Sequence, residues 1–225
     1  GTQSAFSKNS MIIDTHVHYN LEPLVQDANT YYTSAQKAGV KGAICVGTNN
    51  QTSQKALELA QNFSNLYASI GIHPCEYIDE IKLLCKQHQD APEKRDQLVA
   101  QYIAQETKTF TDLVTHTQNN KNSKLVAIGE IGLDYYKLKS KGSTRDIIVA
   151  AQKRLFTQQL EVAFALQLPV ILHVRDQKTR ENENAYFDTF AVVNSLVERY
   201  KLEQKPIPTV ILHCASGPES YIRNF

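Results

Sequence analysis

Charge of one sign is missing from this chain. Its 24 Lys and Arg residues nearly balance its 23 Asp and Glu, for a formal net charge of +1. That total favours no polyanionic partner across the whole surface. A phosphate-binding site would have to be local, supplied by metals rather than by a basic face. Long apolar runs are also missing. None approaches the roughly 18 residues of a membrane span, and Gly1 to Ser10 lack the apolar core of a signal peptide. The four cysteines (Cys45, Cys75, Cys85, Cys214) show no C-x-x-C spacing and no small-scaffold framework, so they read as reduced thiols. An intracellular protein is expected, cytoplasmic, with the nucleus as the alternative, and with no membrane partner.

What is present is ordinary for a globular protein: 42% hydrophobic and 21% charged residues over 225 positions. Residues 1–10 read as a flexible lead-in, and residues 11–225 as a single domain. Within it, short apolar runs alternate with helical periodicities. Buried strands are expected at Met11–Ile13, Gly42–Gly47, Leu66–Ile72, Leu125–Ile128, Pro169–Leu172 and Pro208–Leu212. Helices are expected at Ala28–Ala38, Thr52–Phe63, Asp146–Leu168 and Tyr186–Tyr200. The third of these helices carries Leu155, Phe156, Leu160, Ala163 and Leu166 at helical spacing. The stretch around 77–124 is long and polar, with Leu98, Ile103, Phe110 and Leu113 marking a long amphipathic helix. It reads as an enlarged helical connection packed outside the sheet. Strand–helix alternation with near-continuous apolar strands predicts a parallel sheet covered on both faces.

The candidate chemistry sits at the ends of those strands. Ile12-Ile13-Asp14-Thr15-His16-Val17-His18 places two imidazoles on one face of a strand, as two ligands of one metal ion. Glu130 follows a strand and is flanked by Gly129 and Gly132. Its carboxylate can bridge two ions, which an imidazole cannot. His173 and His213 each end an apolar run with the wording Leu-His. Four strand ends feeding one cluster must converge on one axis. A closed (β/α) barrel does this at its C-terminal face, and an open sheet does so less readily.

Further residues take supporting roles. His73, after Gly71-Ile72, is expected to contact substrate or transfer a proton. Asp134 is a candidate to hold a ligand histidine in one tautomer or to assist proton transfer. Arg175 is expected either to bind a substrate phosphate bidentately or to form a salt bridge. Asp14 reads as a barrel-floor hydrogen-bonding group, His88 and His116 as solvated, and Cys214 as a packing residue turned away from the centre.

These segments resemble the TatD family of metal-dependent deoxyribonucleases, within the amidohydrolase-like barrel group. The likeness rests on Ile13–His18, Gly71-Ile72-His73-Pro74, Ala127–Tyr136, Pro169–Arg175 and Leu212–Gly217, in the family's order. The resemblance implies a TIM (β/α)8-type barrel, of which about six β/α units fall in this chain. It also implies a site for two divalent ions (Mg, Mn or Zn). His16, His18 and Glu130 would hold one ion, and Glu130, His173 and His213 the other. The implied activity is hydrolysis of phosphodiester bonds in DNA, with a 3′-5′ exonuclease mode among the family's activities. A metal-dependent amidohydrolase acting on another substrate, or a non-catalytic barrel, are the alternatives. Ala215 stands where the family usually has an aromatic residue, and the connection before Glu130 is longer than usual. The family also draws an Asp ligand from a Glu-Thr-Asp segment beyond the position of Phe225. A barrel truncated at its C-terminus is therefore expected, with a monomer favoured.

Overall fold

A computed structural model describes residues 11–136, 138, 142–176 and 184–223; the lead-in expected at 1–10 lies outside them. Six strands alternate with helices: β1 (Ile12–Val17), a 3-10 turn (Leu24–Asp27), α1 (Ala28–Lys37), β2 (Val40–Val46), α2 (Asn50–Gln61), β3 (Leu66–Ile70), α3 (Ile78–Gln87), α4 (Pro92–Gln118), β4 (Leu125–Asp134), α5 (Ser143–Ala165), β5 (Val170–Arg175), α6 (Ala185–Leu202), β6 (Val210–Leu212) and α7 (Glu219–Arg223). Local chemistry marks several boundaries. Asn49 caps α2 by accepting from the Thr52 N–H, with Thr52 bonding back in a capping box. The Asn184 side chain accepts from Phe187 N–H at the start of α6.

All six strands are parallel and stand in the order β1 to β6. The order never reverses, so there is no switch point of the kind that marks an open doubly wound sheet. In a flat sheet, strand spacings of about 4.8 Å would separate β1 from β6 by about 24 Å. Instead the ring of His16, in β1, stacks on that of His213, just after β6, with centroids 3.6 Å apart. The sheet is therefore curled until side chains from the C-terminal ends of its first and last strands meet, which is the curvature of a TIM-type α/β barrel.

Burial departs from expectation at the edges. Every residue of β4, at the middle of the sheet, is buried except half-buried Val126. In contrast Met11 is 74% and Ile13 58% exposed. Among the described residues β1 pairs only with β2, so one flank of its apolar run is uncovered. In α5, Leu155, Phe156, Leu160 and Ala163 are buried as their spacing predicts, but Leu166 is exposed because the helix ends at Ala165. The enlarged connection is two helices rather than one. Pro92 opens α4 at a position where its missing N–H costs nothing. Val99, Ile103, Phe110 and Val114 form the buried stripe of α4, which packs on α2, α3 and α5. No helix among the described residues is long and apolar enough to cross a membrane.

Candidate metal centre

The C-terminal ends of the strands carry a histidine cluster around one carboxylate. Glu130, in β4, is 5% exposed. Its Oε2 lies 3.5 Å from His16 Nε2, and its Oε1 lies 3.2 Å from His173 Nδ1 and 3.9 Å from His213 Nε2. His16 and His18 meet edge to face, with centroids 4.9 Å apart. His73 packs on His173 with centroids 4.1 Å apart. Two groups place their donor atoms within 4.8 Å of one another: His16, His18 and Glu130, and His73, Glu130 and His173. The second differs from the set the resemblance implies. His73 enters it beside its expected substrate role, while His213 stands at the edge, stacked on His16.

The donor set fits a cation. His16 Nε2 is buried and makes no hydrogen bond among the described residues, which costs free energy unless something accepts its contact. His18 Nδ1 lies 3.0 Å from the Val46 carbonyl. It donates there, which leaves Nε2 as the bare nitrogen. Burial lowers the pKa of His18 and of His213, so both are neutral near pH 7 and able to ligate. His73 differs, since its Nδ1 accepts from the Cys75 N–H at 3.1 Å. The neutral ring then carries its proton on Nε2, as a hydrogen-bond donor needs.

Two groups are strongly coupled. Burial acts to raise the Glu130 pKa, but the adjoining His16 and His173 outweigh it and hold the carboxyl below its usual range. Burial acts to lower the His173 pKa, but its bonds to Asp134 (Nε2 to Oδ2, 2.9 Å) and Glu130 raise it to about 9. Asp134 therefore touches the histidine it was expected to orient, and it is 1% exposed. A raised histidine pKa adds stability that is complete below the ordinary value of 6.5 and is lost as pH rises through about 9. Metal-free protein is thus expected to melt at progressively lower temperature from pH 7 to 10, and Asp134→Asn to flatten that decline. Thermal melts in a chelator across this range check both. Because a ligating imidazole must be neutral, metal uptake at pH 7 should release the His173 proton.

The remaining expected residues fall as follows. Arg175 is exposed, stacks on Tyr136 at 3.8 Å and forms no ion pair among the described residues. Asp14 is exposed and accepts from the His16 N–H at 3.1 Å, a local bond rather than a barrel-floor one. Cys214 is exposed with Sγ 3.4 Å from His213 Nε2, so it neither packs nor turns away. Its positive φ of 46° places it in a turn where the alternation of a strand no longer applies. His116 is exposed and His88 half-buried.

Sequence reasoning missed a layer of polar groups beneath the cluster. Ser69 Oγ donates to the Gly129 carbonyl at 2.9 Å, and the Gly71 N–H donates to Ser53 Oγ at 3.2 Å. Gln152 and Gln159 of α5 bond backbone at the exits of β3 and β4. The one available signal was a pair of amides on an otherwise apolar helix face.

A family model described as TatD related DNase matches residues 13–225. The chain belongs to that family. Its relatives include the "Uncharacterized metal-dependent hydrolase YabD" of Bacillus subtilis, 31% identical over 74% of this chain and 51% of the relative. "Deoxyribonuclease Tat-D" of Schizosaccharomyces pombe is 32% identical over 74% of this chain and 43% of its own length. The "3'-5' ssDNA/RNA exonuclease TatD" of Citrobacter koseri is 28% identical over 92% of this chain and 60% of its own length. The chain thus spans about half the length of the curated relatives it matches. Among solved structures, the TatD homolog YJJV of Escherichia coli superposes with a TM-score of 0.61 at 26% identity, over 95% of this chain and 63% of that one.

Proposed function

We propose that this TatD-family barrel hydrolyses phosphodiester bonds in DNA, with two divalent cations held around Glu130. The observation that carries the reading is the encirclement of one buried, ionised carboxylate by His16, His173 and His213. His16, His18 and Glu130 would hold one ion, and Glu130, His173 and His213 the other. Cations bound there supply an activated water and offset the charge developing on a phosphate. That local charge agrees with a chain carrying a formal net charge of only +1.

The chain's own residues do the rest. Asp134 fixes the ring of His173 through Nε2, so that Nδ1 faces Glu130. His73 presents a donor Nε2–H where a phosphate oxygen or a leaving oxygen would lie. Arg175 offers its guanidinium to a neighbouring phosphate, pre-oriented by Tyr136. The names of the Schizosaccharomyces and Citrobacter relatives agree with a nucleic-acid substrate.

The test is digestion of end-labelled single-stranded and duplex DNA by the full-length protein, with magnesium, manganese, zinc or EDTA. Metal-dependent shortening from the 3′ end is the expected result. A folded, metal-loaded protein that leaves DNA intact but opens an amide or lactone substrate would overturn the nuclease reading in favour of an amidohydrolase.

A further inference from the structure

Two buried amides on α5 bracket the backbone of His73. Gln152 is 0% and Gln159 1% exposed. They lie seven residues apart, about two helical turns along one face. Gln159 accepts the Ile72 N–H through Oε1 at 2.7 Å and donates from Nε2 to the Ile72 carbonyl at 3.2 Å, and to Leu155 O at 3.3 Å. Gln152 accepts the Asp134 N–H at 3.0 Å, donates to the Asp134 carbonyl at 3.1 Å and donates to the Pro74 carbonyl at 3.2 Å.

Each amide therefore closes a two-bond ring with one residue's N–H and C=O, as a neighbouring strand would. The strands explain the need. β3 ends at Ile70, and beyond Ile128 β4 no longer pairs with it. Ile72 and Asp134 would otherwise bury unpaired backbone groups, which native folds avoid. An apolar side chain at either position would fill the space but leave those groups unbonded. The consequence reaches the metal centre. Ile72 and Pro74 flank His73, so the two amides hold the chain on both sides of it. Asp134, held by Gln152, bonds His173, whose ring packs on His73.

We infer that Gln152 and Gln159 are positioning residues that fix His73 and Asp134, and through Asp134 the ring of His173, from one rigid helix. What those imidazoles are positioned to do rests on the proposed function; that they are positioned by α5 does not.

The experiment compares Gln152→Met, Gln159→Met and the control Phe156→Leu, a buried change on the same helix, in the full-length protein. Imidazole nitrogen-15 shifts of His73 and His173 are read without metal, and Mn2+ affinity is then measured by calorimetry. Both methionine variants should move the His73 signals toward those of a free imidazole, and Gln152→Met those of His173 as well. Gln152→Met should weaken Mn2+ binding by about 10–100-fold, the usual cost of removing a group that orients ligands, while Gln159→Met, which reaches only His73, should change it less than about tenfold. Phe156→Leu should lower the melting temperature and leave both readouts as in the wild type. Methionine variants with a lower melting temperature but wild-type imidazole signals and Mn2+ affinity would show a structural role only and sink the inference. Should either methionine variant not fold, Gln152→Asn and Gln159→Asn, too short to span both bonds, carry the same comparison. A wild type that takes up no Mn2+ would refute the metal reading, while the imidazole signals would still decide the role of the glutamines.

Discussion

Glu130→Gln should remove hydrolysis almost completely while leaving a folded protein. The amide keeps the volume of the carboxylate, so the 5% exposed site is still filled. What disappears is the negative charge that His16, His173 and His213 face. Three effects follow from different parts of the geometry. Oε1 and Oε2 each belong to a different histidine contact, so both candidate ion sites lose an anionic ligand at once. The affinity for Mn2+ should fall by more than the roughly 10–100-fold typical of groups one layer further out. Turnover should fall by at least about 1,000-fold, since even a single preorganised donor at a developing charge contributes 100- to 1,000-fold. His173 also loses one of the two acceptors that raise its pKa to about 9. The fall in melting temperature of metal-free protein above pH 7 should therefore shift to lower pH. Calorimetric Mn2+ titration, the end-labelled DNA assay and melts in chelator measure the three effects on one preparation. A Glu130→Gln protein that binds Mn2+ and cuts DNA as the wild type does would remove Glu130 from the centre of the site.

Much of this arrangement can be read from the chain because barrel strands are local patterns. Pro169–Leu172 and Leu125–Ile128 are apolar runs bounded by turn residues, and a side chain's position at the end of such a run fixes where it emerges. That is why His16, His18, Glu130, His173 and His213 can be expected at one end of the sheet from the sequence alone. The misreadings share a different property. Met11–Ile13 has the composition of a buried strand, but burial depends on what stands on both flanks of β1, and composition carries no such information. Strand alternation misplaces Cys214, two residues past the end of β6, where the backbone has already turned to positive φ. Gln152 and Gln159 stand out only as amides on an apolar helix face, and their roles stay hidden because their partners are backbone atoms; the Gln159–Ile72 bond spans 87 residues of sequence. A side chain that bonds peptide groups leaves no complementary residue type to look for. The same limit hides the role of Ser69, whose acceptor is the Gly129 carbonyl.

Gly132→Ala is expected to be the most destabilising single methyl group that can be added near this site. Gly132 pairs with His173 in the β4–β5 register. Its φ is +145°, a region open to glycine and closed to nearly every other residue. A Cβ built there would lie 2.0 Å from the His173 carbonyl oxygen and 3.0 Å from its carbonyl carbon. Those are backbone atoms of a central strand, so they cannot rotate away as a side chain would. The strained backbone alone costs about 1–3 kcal/mol, and forcing the strands apart adds about 1–3 kcal/mol more, as overpacking does in other cores. Together these reach a large part of the roughly 5–15 kcal/mol by which a typical domain is stable. Gly39→Ala separates the two costs. Gly39 also has positive φ, +112°, but a Cβ there meets nothing within 4 Å, so only the backbone strain remains. In urea denaturation the midpoint should fall modestly for Gly39→Ala and much further for Gly132→Ala, without a change in slope for the former. Gly132→Ala should also weaken Mn2+ binding in whatever fraction stays folded, because the atom it collides with belongs to His173. Equal midpoint losses at the two positions would mean that β5 yields to the added methyl and that the close approach of the two strands does not hold His173 in place.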